Sequence, residues 1–474
     1  MDDHNSKLFF DVLVIGSGVS GSFISRELAE AGYRCAVFEA GSYFSKENYP
    51  KSELEGNANL YWSGGIELDK RAEIGLLRPK CVGGGSVVNQ ALMDRFTDEV
   101  WQAWEDKTQI PFTKSFPFEE LYTKAESSLN LERIPSNARN RNAQIFTKGL
   151  ENKNLKWKPL RRAQKNCFYE GGNDCIECLR GCPRDSKQSM PITVLREAVE
   201  KGATLFSNFE VKAIGKDHKG FWLEGNWKKK NPYRIRSKRI VLASGVIGNT
   251  KILSKSFNRS ELPSLGEGFY THPQFMSLAH YKEPVDAFRG PFQAVHSHDP
   301  SLREHGFKLE NVFAGPVGLS MLLPGHGKEH QELMKNLRHY ACIEVAIRDT
   351  YPGRIRVSSK GKVKISKPLN SKDRLRKSKG LSLVREVFES TGAEKVFQSH
   401  FGIGLHLMGG CAMGVDPNKS VVDPGFQLHG KKGVFIADSS VFPEAPGINP
   451  SLSIMALSLQ ASKAIIETLE KNPQ

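Results

Sequence analysis

Residues 11–41 read DVLVIGSGVSGSFISRELAEAGYRCAVFEAG, and their pattern decides the fold class. Val12, Leu13, Val14 and Ile15 form a short unbroken apolar run, as a strand buried on both faces requires. Gly16, Gly18 and Gly21 follow at G-x-G-x-x-G spacing, and Phe23, Ile24 and Leu28 then recur at helical intervals. A second apolar run, 35–38, ends in Glu39. Strand, glycine turn, helix and strand together make a β-α-β nucleotide-binding unit. Gly16 permits the tight turn, Gly18 lets backbone approach a pyrophosphate, and Gly21 lets helix and strand pack closely. The helix N-terminus offers free N–H groups to the phosphates. Glu39 is placed to accept hydrogen bonds from ribose hydroxyls. An acid there argues against NADP and leaves NAD and FAD both open.

The chain has 474 residues, enough for two substantial cores, and an ordinary soluble composition. No stretch approaches the roughly 18 consecutive apolar residues of a membrane span. The N-terminus, MDDHNSKLFF, lacks a basic region and an apolar core, so a cytoplasmic location is expected, with export alongside a partner left open. Net charge is +15, concentrated in 153–165, 228–239 and 360–379. Such runs can serve an anionic membrane surface or an acidic partner. They hold few aromatics and no nucleic-acid motif, so a solvated basic surface is expected and nucleic acid is not.

Three further stretches carry chemistry. The first, RPKCVGGGSVVNQALMDR at 78–95, contains Gly83, Gly84 and Gly85 in a row, then Ser86 and Asn89. Backbone so poor in side chains suits close passage of another group, to which Ser86 and Asn89 can hydrogen-bond. The second, CFYEGGNDCIECLRGCPRDSK from 167, holds Cys167, Cys175, Cys178 and Cys182. The spacing Cys175-x2-Cys178-x3-Cys182-Pro183 resembles part of a ferredoxin run. Iron–sulfur ligation, zinc through four thiolates, and plain structural cysteines all remain open. The third, 400–465, has a buried strand at 433–437 with Asp438 at its carboxyl end, where open α/β sheets hold ligands. Asn449, Pro450 and Ser451 then open a helix with Leu452, Met455, Leu459 and Ile465 on one face. Capping by Asn449 with Pro450 as first helical residue would explain that opening.

These blocks, in this order, resemble the glucose-methanol-choline (GMC) flavoprotein oxidoreductases. The string from Val82 to Asn89 is similar to the family's glycine-rich segment beside the flavin, in the triple-glycine form of cholesterol oxidases. His406-x-x-Gly409-Gly410-Cys411-x-Met413-Gly414 resembles H-x-x-G-[GT]-x-x-M-G, and Asp438-x-Ser440-x-x-Pro443 and Gly447-x-Asn449-Pro450 follow. The stretch from Leu262-Pro263 to His272-Pro273 resembles the one that leaves the FAD domain.

The resemblance implies an α/β protein, α+β overall. A Rossmann-like FAD-binding domain would take 1–110, 190–275 and 395–474, interleaved with an antiparallel-sheet substrate domain at 111–189 and 276–394. It implies FAD contacts at Gly16, Gly18, Gly21, Glu39, Gly84, Ser86, Asn89, Val211, Asp438, Asn449, Pro450 and Ser451. The helix opened by Asn449 would face the flavin pyrimidine, its dipole stabilising charge on the reduced ring. Val88 stands where some relatives attach FAD through histidine, so non-covalent FAD is expected.

His406 and Asn449 are the implied catalytic pair, His406 as general base and Asn449 orienting the substrate oxygen. The implied reaction oxidises the CH–OH group of a sterol, long-chain alcohol or sugar by hydride transfer to flavin N5. Some members with cysteines near 167–182 bind an iron–sulfur cluster and pass electrons onward, so an acceptor protein or quinone is a candidate partner. A lyase with non-redox FAD and a non-catalytic basic surface-binding protein are the alternatives.

Overall fold

The apolar run at 12–15 lies buried in strand β1 (Phe9–Ile15), at the centre of a seven-stranded sheet. The computed structural model describes residues 9–167, 178–228, 230, 232–291 and 293–471. Strand β2 (Cys35–Phe38) runs parallel on one side of β1, and β3 (Pro232–Leu242) runs parallel on the other. Thr204–Phe206 extends the sheet beyond β2, and β4 (Val434–Ile436) pairs in parallel with the last residues of β3. Four of these parallel strands therefore deliver Gly16, Glu39, Ala243 and Asp438 to one carboxyl edge, the place where such sheets bind nucleotides. The first half of β3 closes a meander with Phe209–Asp217 and Gly220–Trp227.

Helix α1 (Val19–Glu30) follows the glycine turn as the spacing predicts. A Cβ on Gly21 would collide with the carbonyl of Gly16, so the helix can lie this close to the turn only with glycine there. Gly21→Ala is expected to lower stability by about 1–3 kcal/mol through overpacking. Copurifying nucleotide should fall as well, and denaturant midpoints and flavin content measured together would show both. The last helix, α2 (Ser451–Lys471), packs on α1. Among the described residues it is the one helix long and apolar enough to cross a membrane, but Leu452, Met455, Leu459 and Ile465 are buried in the core.

A second, nine-stranded sheet faces the first. Its centre is antiparallel: Gln274–His280, Tyr340–Ile347, Phe307–Asn311 and Val295–Ser297 lie side by side. Helix Ser371–Glu389 covers one face, where a Cβ on Gly380 would run into Val345. Side chains alternate across a strand, so Glu344, next to Val345, points to the opposite face. Its cross-strand partner is Glu310, which has Lys308 two residues before it on the same face.

Strands at Glu67–Leu68, Ile74–Leu76, Lys395–Gln398 and Gly402–Gly404 join this second sheet, although both stretches were expected in the nucleotide-binding part. Strands of two to four residues leave no period to read in the sequence. The crossing at 402–404 sets His406 between the two sheets.

A candidate flavin and alcohol site

A cavity of about 540 Å³ runs between the sheets. Gly16, Gly18, Glu39, Gly84, Asn89, Val211 and Asp438 line one part. His406, Asn449, Gln274, Met276, Glu310 and Glu344 line another, and Pro450 and Ser451 also face the cavity.

At the nucleotide end Glu39 is buried, and its carboxylate accepts from Ser17 N (3.2 Å), Ser17 Oγ (2.8 Å) and Gly41 N (2.8 Å). Burial pushes its carboxyl up, and these donors oppose the shift. The same Ser17 Oγ accepts from Gly83 N at 3.0 Å, tying the first glycine turn to the triple-glycine loop. Ser17 was not singled out in the sequence. Gly84 has φ +52 and lies against Gly18, so the two loops meet glycine to glycine.

Ser86 serves the loop itself. It donates to Gly83 O (2.7 Å) and accepts from Met190 N (3.0 Å). Asp438 is buried and accepts from Gly245 N, Asn249 Nδ2 and Ser440 N at 2.8–2.9 Å. Asn249 thus joins the ends of two parallel strands. Added Cβ atoms at Gly18, Gly85 and Gly245 would meet open space, and the carboxylate of Glu39 stands at the end of β2. The residues present fit an FAD-sized dinucleotide along this edge.

At the other end, α2 begins at Ser451, and the carbonyl of Pro450 accepts the first helical bond, from Ile454 N at 2.9 Å. Asn449 Oδ1 accepts instead from Lys308 Nζ at 2.7 Å. The cap expected of Asn449 is therefore replaced by a contact to the second sheet, and its amide hydrogens are left for a bound molecule. Lys308 also pairs with Glu310 (2.5 Å) and Asp94 (3.4 Å). Burial pulls its ammonium down, and these carboxylates more than offset that and hold it above the ordinary lysine value.

His406 meets a partner that sequence reading did not assign to the site. Its Nδ1 lies 3.1 Å from Nδ1 of His272, whose Nε2 accepts from Gly447 N at 2.8 Å. An imidazole nitrogen that accepts an N–H carries no hydrogen, so neutral His272 is protonated at Nδ1 and donates to His406. His406 Nδ1 then accepts, and its hydrogen sits on Nε2, the nitrogen left for the cavity. Burial, with Arg348 and Lys308 adding, lowers His272 to about 3. Burial, His272 and Lys308 drive His406 well below its usual value. In this tautomer His406 presents an N–H to the cavity. His272 itself has φ +47, held by Asp349, which accepts from the N–H groups of Thr271 and His272.

The cysteine segment lies beside the glycine-rich loop. Cys167 and Cys178 are buried, Cys182 is half-buried, and Cys175 lies outside the described residues. Among the described residues no three His, Cys, Asp or Glu side chains group to hold a metal. The buried ammonium of Lys187 donates to Val87 O (2.5 Å), Cys178 O (2.6 Å) and Asn89 O (2.9 Å). The segment so described straps the loop that lines the cavity. Lys187→Met leaves three buried carbonyls without their donor and is expected to remove roughly 1–3 kcal/mol of stability. It should also weaken flavin retention, read as flavin per protein after gel filtration.

A glycine-turned parallel sheet whose carboxyl edge shares a cavity with an antiparallel sheet defines a Rossmann-type, FAD-binding class of fold. The chain belongs to the GMC oxidoreductase family: the family's N-terminal model matches residues 10–274 and its C-terminal model 354–458. It is 26% identical to an uncharacterized GMC-type oxidoreductase of Sinorhizobium fredii, over 96% of this chain and 94% of that one. It is 24% identical to a long-chain-alcohol oxidase of Arabidopsis thaliana, over 99% and 69% of the two chains. A cholesterol oxidase of Mycobacterium tuberculosis is 23% identical over 96% and 90%. Among solved structures, pyridoxine 4-oxidase from Mesorbium loti superposes with a TM-score of 0.71 at 14% identity, covering 97% of this chain and 99% of that one. A formate oxidase of Aspergillus oryzae superposes at 0.74 and 13% identity, over 98% and 99%.

Proposed function

We propose that this chain binds FAD non-covalently and oxidises the CH–OH group of a hydrophobic alcohol to a carbonyl. The observation that carries this reading is the shared cavity, in which a dinucleotide cradle opens directly onto His406 and Asn449. Bound FAD supplies the acceptor for the hydride leaving the carbinol carbon.

The chain supplies placement. Asn449 Nδ2, fixed by the bond from Lys308 to Oδ1, and His406 Nε2–H, fixed by His272, both offer hydrogens to the alcohol oxygen. Two donors converging on one oxygen stabilise the negative charge that develops there as the C–H bond breaks. Phe313, Val317, Met321, Leu322 and Leu405 line the same cavity, which suits an apolar chain or ring system and supports a long-chain alcohol or sterol over a sugar. The long-chain-alcohol and cholesterol oxidases among its relatives point the same way.

The test is anaerobic mixing with a panel of alcohols while flavin absorbance is followed. Hydrophobic alcohols should bleach the wild type, and His406→Ala should slow bleaching by about 10²–10³-fold, as loss of one oxyanion donor does. Bleaching at the wild-type rate in that variant would remove His406 from the chemistry. Oxygen uptake on the same samples would then separate an oxidase from a dehydrogenase that hands electrons to a quinone or protein.

A further inference from the structure

Two cations are buried beside the cysteine segment, in a second and much smaller pocket. Arg162 and Lys187 are each 2% exposed and Gln164 is 1% exposed, so none of the three meets solvent. Arg162 lies in strand Arg161–Ala163 and Gln164 two residues further on, so their side chains leave on the same side. Gln164 pairs with Lys187 in an antiparallel bridge, which brings the lysine to that side as well. All three line a pocket of about 20 Å³, together with Cys178 and Cys182. No Asp or Glu among the described residues lines it.

The polar groups here do not satisfy one another. Lys187 spends its three hydrogens on carbonyls, as described. Arg162 Nη1 donates to Gln293 O (2.8 Å) and Nη2 to Cys178 Sγ (3.9 Å), but its Nε has no hydrogen-bond partner among the described residues. Neither has Nε2 or Oε1 of Gln164. Burial pulls the Lys187 ammonium down; Cys178 and Cys182 oppose that, and Arg162 adds to it. A guanidinium does not give up its proton, so its charge stays and must be met. The pocket has room for one particle about the size of a water molecule. Free N–H donors and two cations make it selective for a small anion.

We propose that this pocket binds a chloride ion, which accepts from Arg162 Nε–H and Gln164 Nε2–H and balances the Arg162 and Lys187 cations. Lys187 is the residue that gathers Val87 O and Asn89 O, so an ion here steadies the loop at the flavin end of the main cavity. His406 and Asn449 take no part in it, and the site does not depend on the alcohol-oxidising reading.

The test uses the intact flavin-loaded protein. Denaturant melts are run in sodium chloride, with sodium gluconate, an anion too large for the pocket, keeping ionic strength constant. Once the site is full, the folding equilibrium should shift about tenfold for each tenfold rise in chloride. Sodium bromide should act likewise, and flavin retained after gel filtration should be higher in either halide than in gluconate. Wild-type crystals soaked in bromide should show an anomalous peak within hydrogen-bond reach of Arg162 Nε and Gln164 Nε2. Gln164→Leu keeps the cations and removes one donor, and should raise the chloride needed for half of the shift by about tenfold or more.

A wild-type stability that ignores the exchange of gluconate for chloride overturns the proposal, as does a pocket without bromide. Either result would leave the counter-charge to a cysteine sulfur. An unchanged chloride midpoint in Gln164→Leu overturns it too, and the wild-type melts and crystals decide the matter even if that variant fails to fold.

Discussion

Lys308→Met is expected to lower stability by about 3–5 kcal/mol and to abolish most flavin reduction by alcohols. The ammonium is the shared counter-ion of Glu310 and Asp94, with a side chain only 17% exposed. Its removal leaves two carboxylates near one another and partly out of water, and breaking one side of a buried pair is far more damaging than never having built it. The loss should be largest at neutral pH, where carboxylates are charged. Asn449 also loses the bond that fixes its amide, so Nδ2 no longer has one direction. Denaturant melts and stopped-flow flavin reduction on the same preparation read both effects. An unchanged melting midpoint would show that the ion cluster is solvated and that its role here is overstated. Lys308→Arg keeps the charge but spreads it over a fork, and should restore stability better than rate.

The nucleotide half of the site was legible because its signals are local. G-x-G-x-x-G, two apolar runs and Glu39 fall within one stretch of chain, and the structure reproduces β2 at Cys35–Phe38 as read. Tyr340–Ile347 falls in the stretch expected to hold the antiparallel sheet, and it is a strand of that sheet. The alcohol half was only partly legible because it is assembled by register. Lys308, Glu310 and Glu344 become neighbours through one antiparallel pairing, and no spacing in the sequence announces it. A trace did exist: a lone glutamate inside YACIEVAI is a buried charge, and buried charges collect at functional sites. His272 was seen only as part of a His-Pro string. Its link to His406, 134 residues away, depends on the crossing between sheets at 402–404. The cysteine spacing left three readings open, and Cys175 lies outside the described residues. Cys178 and Cys182 do lie together, but a buried lysine gathering carbonyls is what their segment visibly does.

His272 gives the second large effect, in the dependence of stability on pH. Its pKa is about 3 in the fold against about 6.5 in the unfolded chain. Between those values the unfolded state binds the proton and the folded state does not, so stability falls as pH drops through this window and is fully retained above it. Each pH unit of the window is worth about 1.4 kcal/mol for one imidazole. His406 is shifted in the same direction and steepens the slope towards two protons.

The physical cause is burial first, with Arg348 and Lys308 adding to it, and the donor–acceptor chain acts in the same direction. Gly447 N–H points at His272 Nε2, so a proton added there would face another hydrogen. His272→Asn can keep a donor towards His406 and tolerates the left-handed φ of +47, but it cannot titrate. Unfolding free energies between about pH 4 and pH 7 should then lose one proton's worth of slope, while His406 keeps its hydrogen on Nε2. An equal slope in both proteins would mean that His272 is protonated in the fold. The tautomer of His406, and with it the hydrogen placed on its Nε2, would then fall.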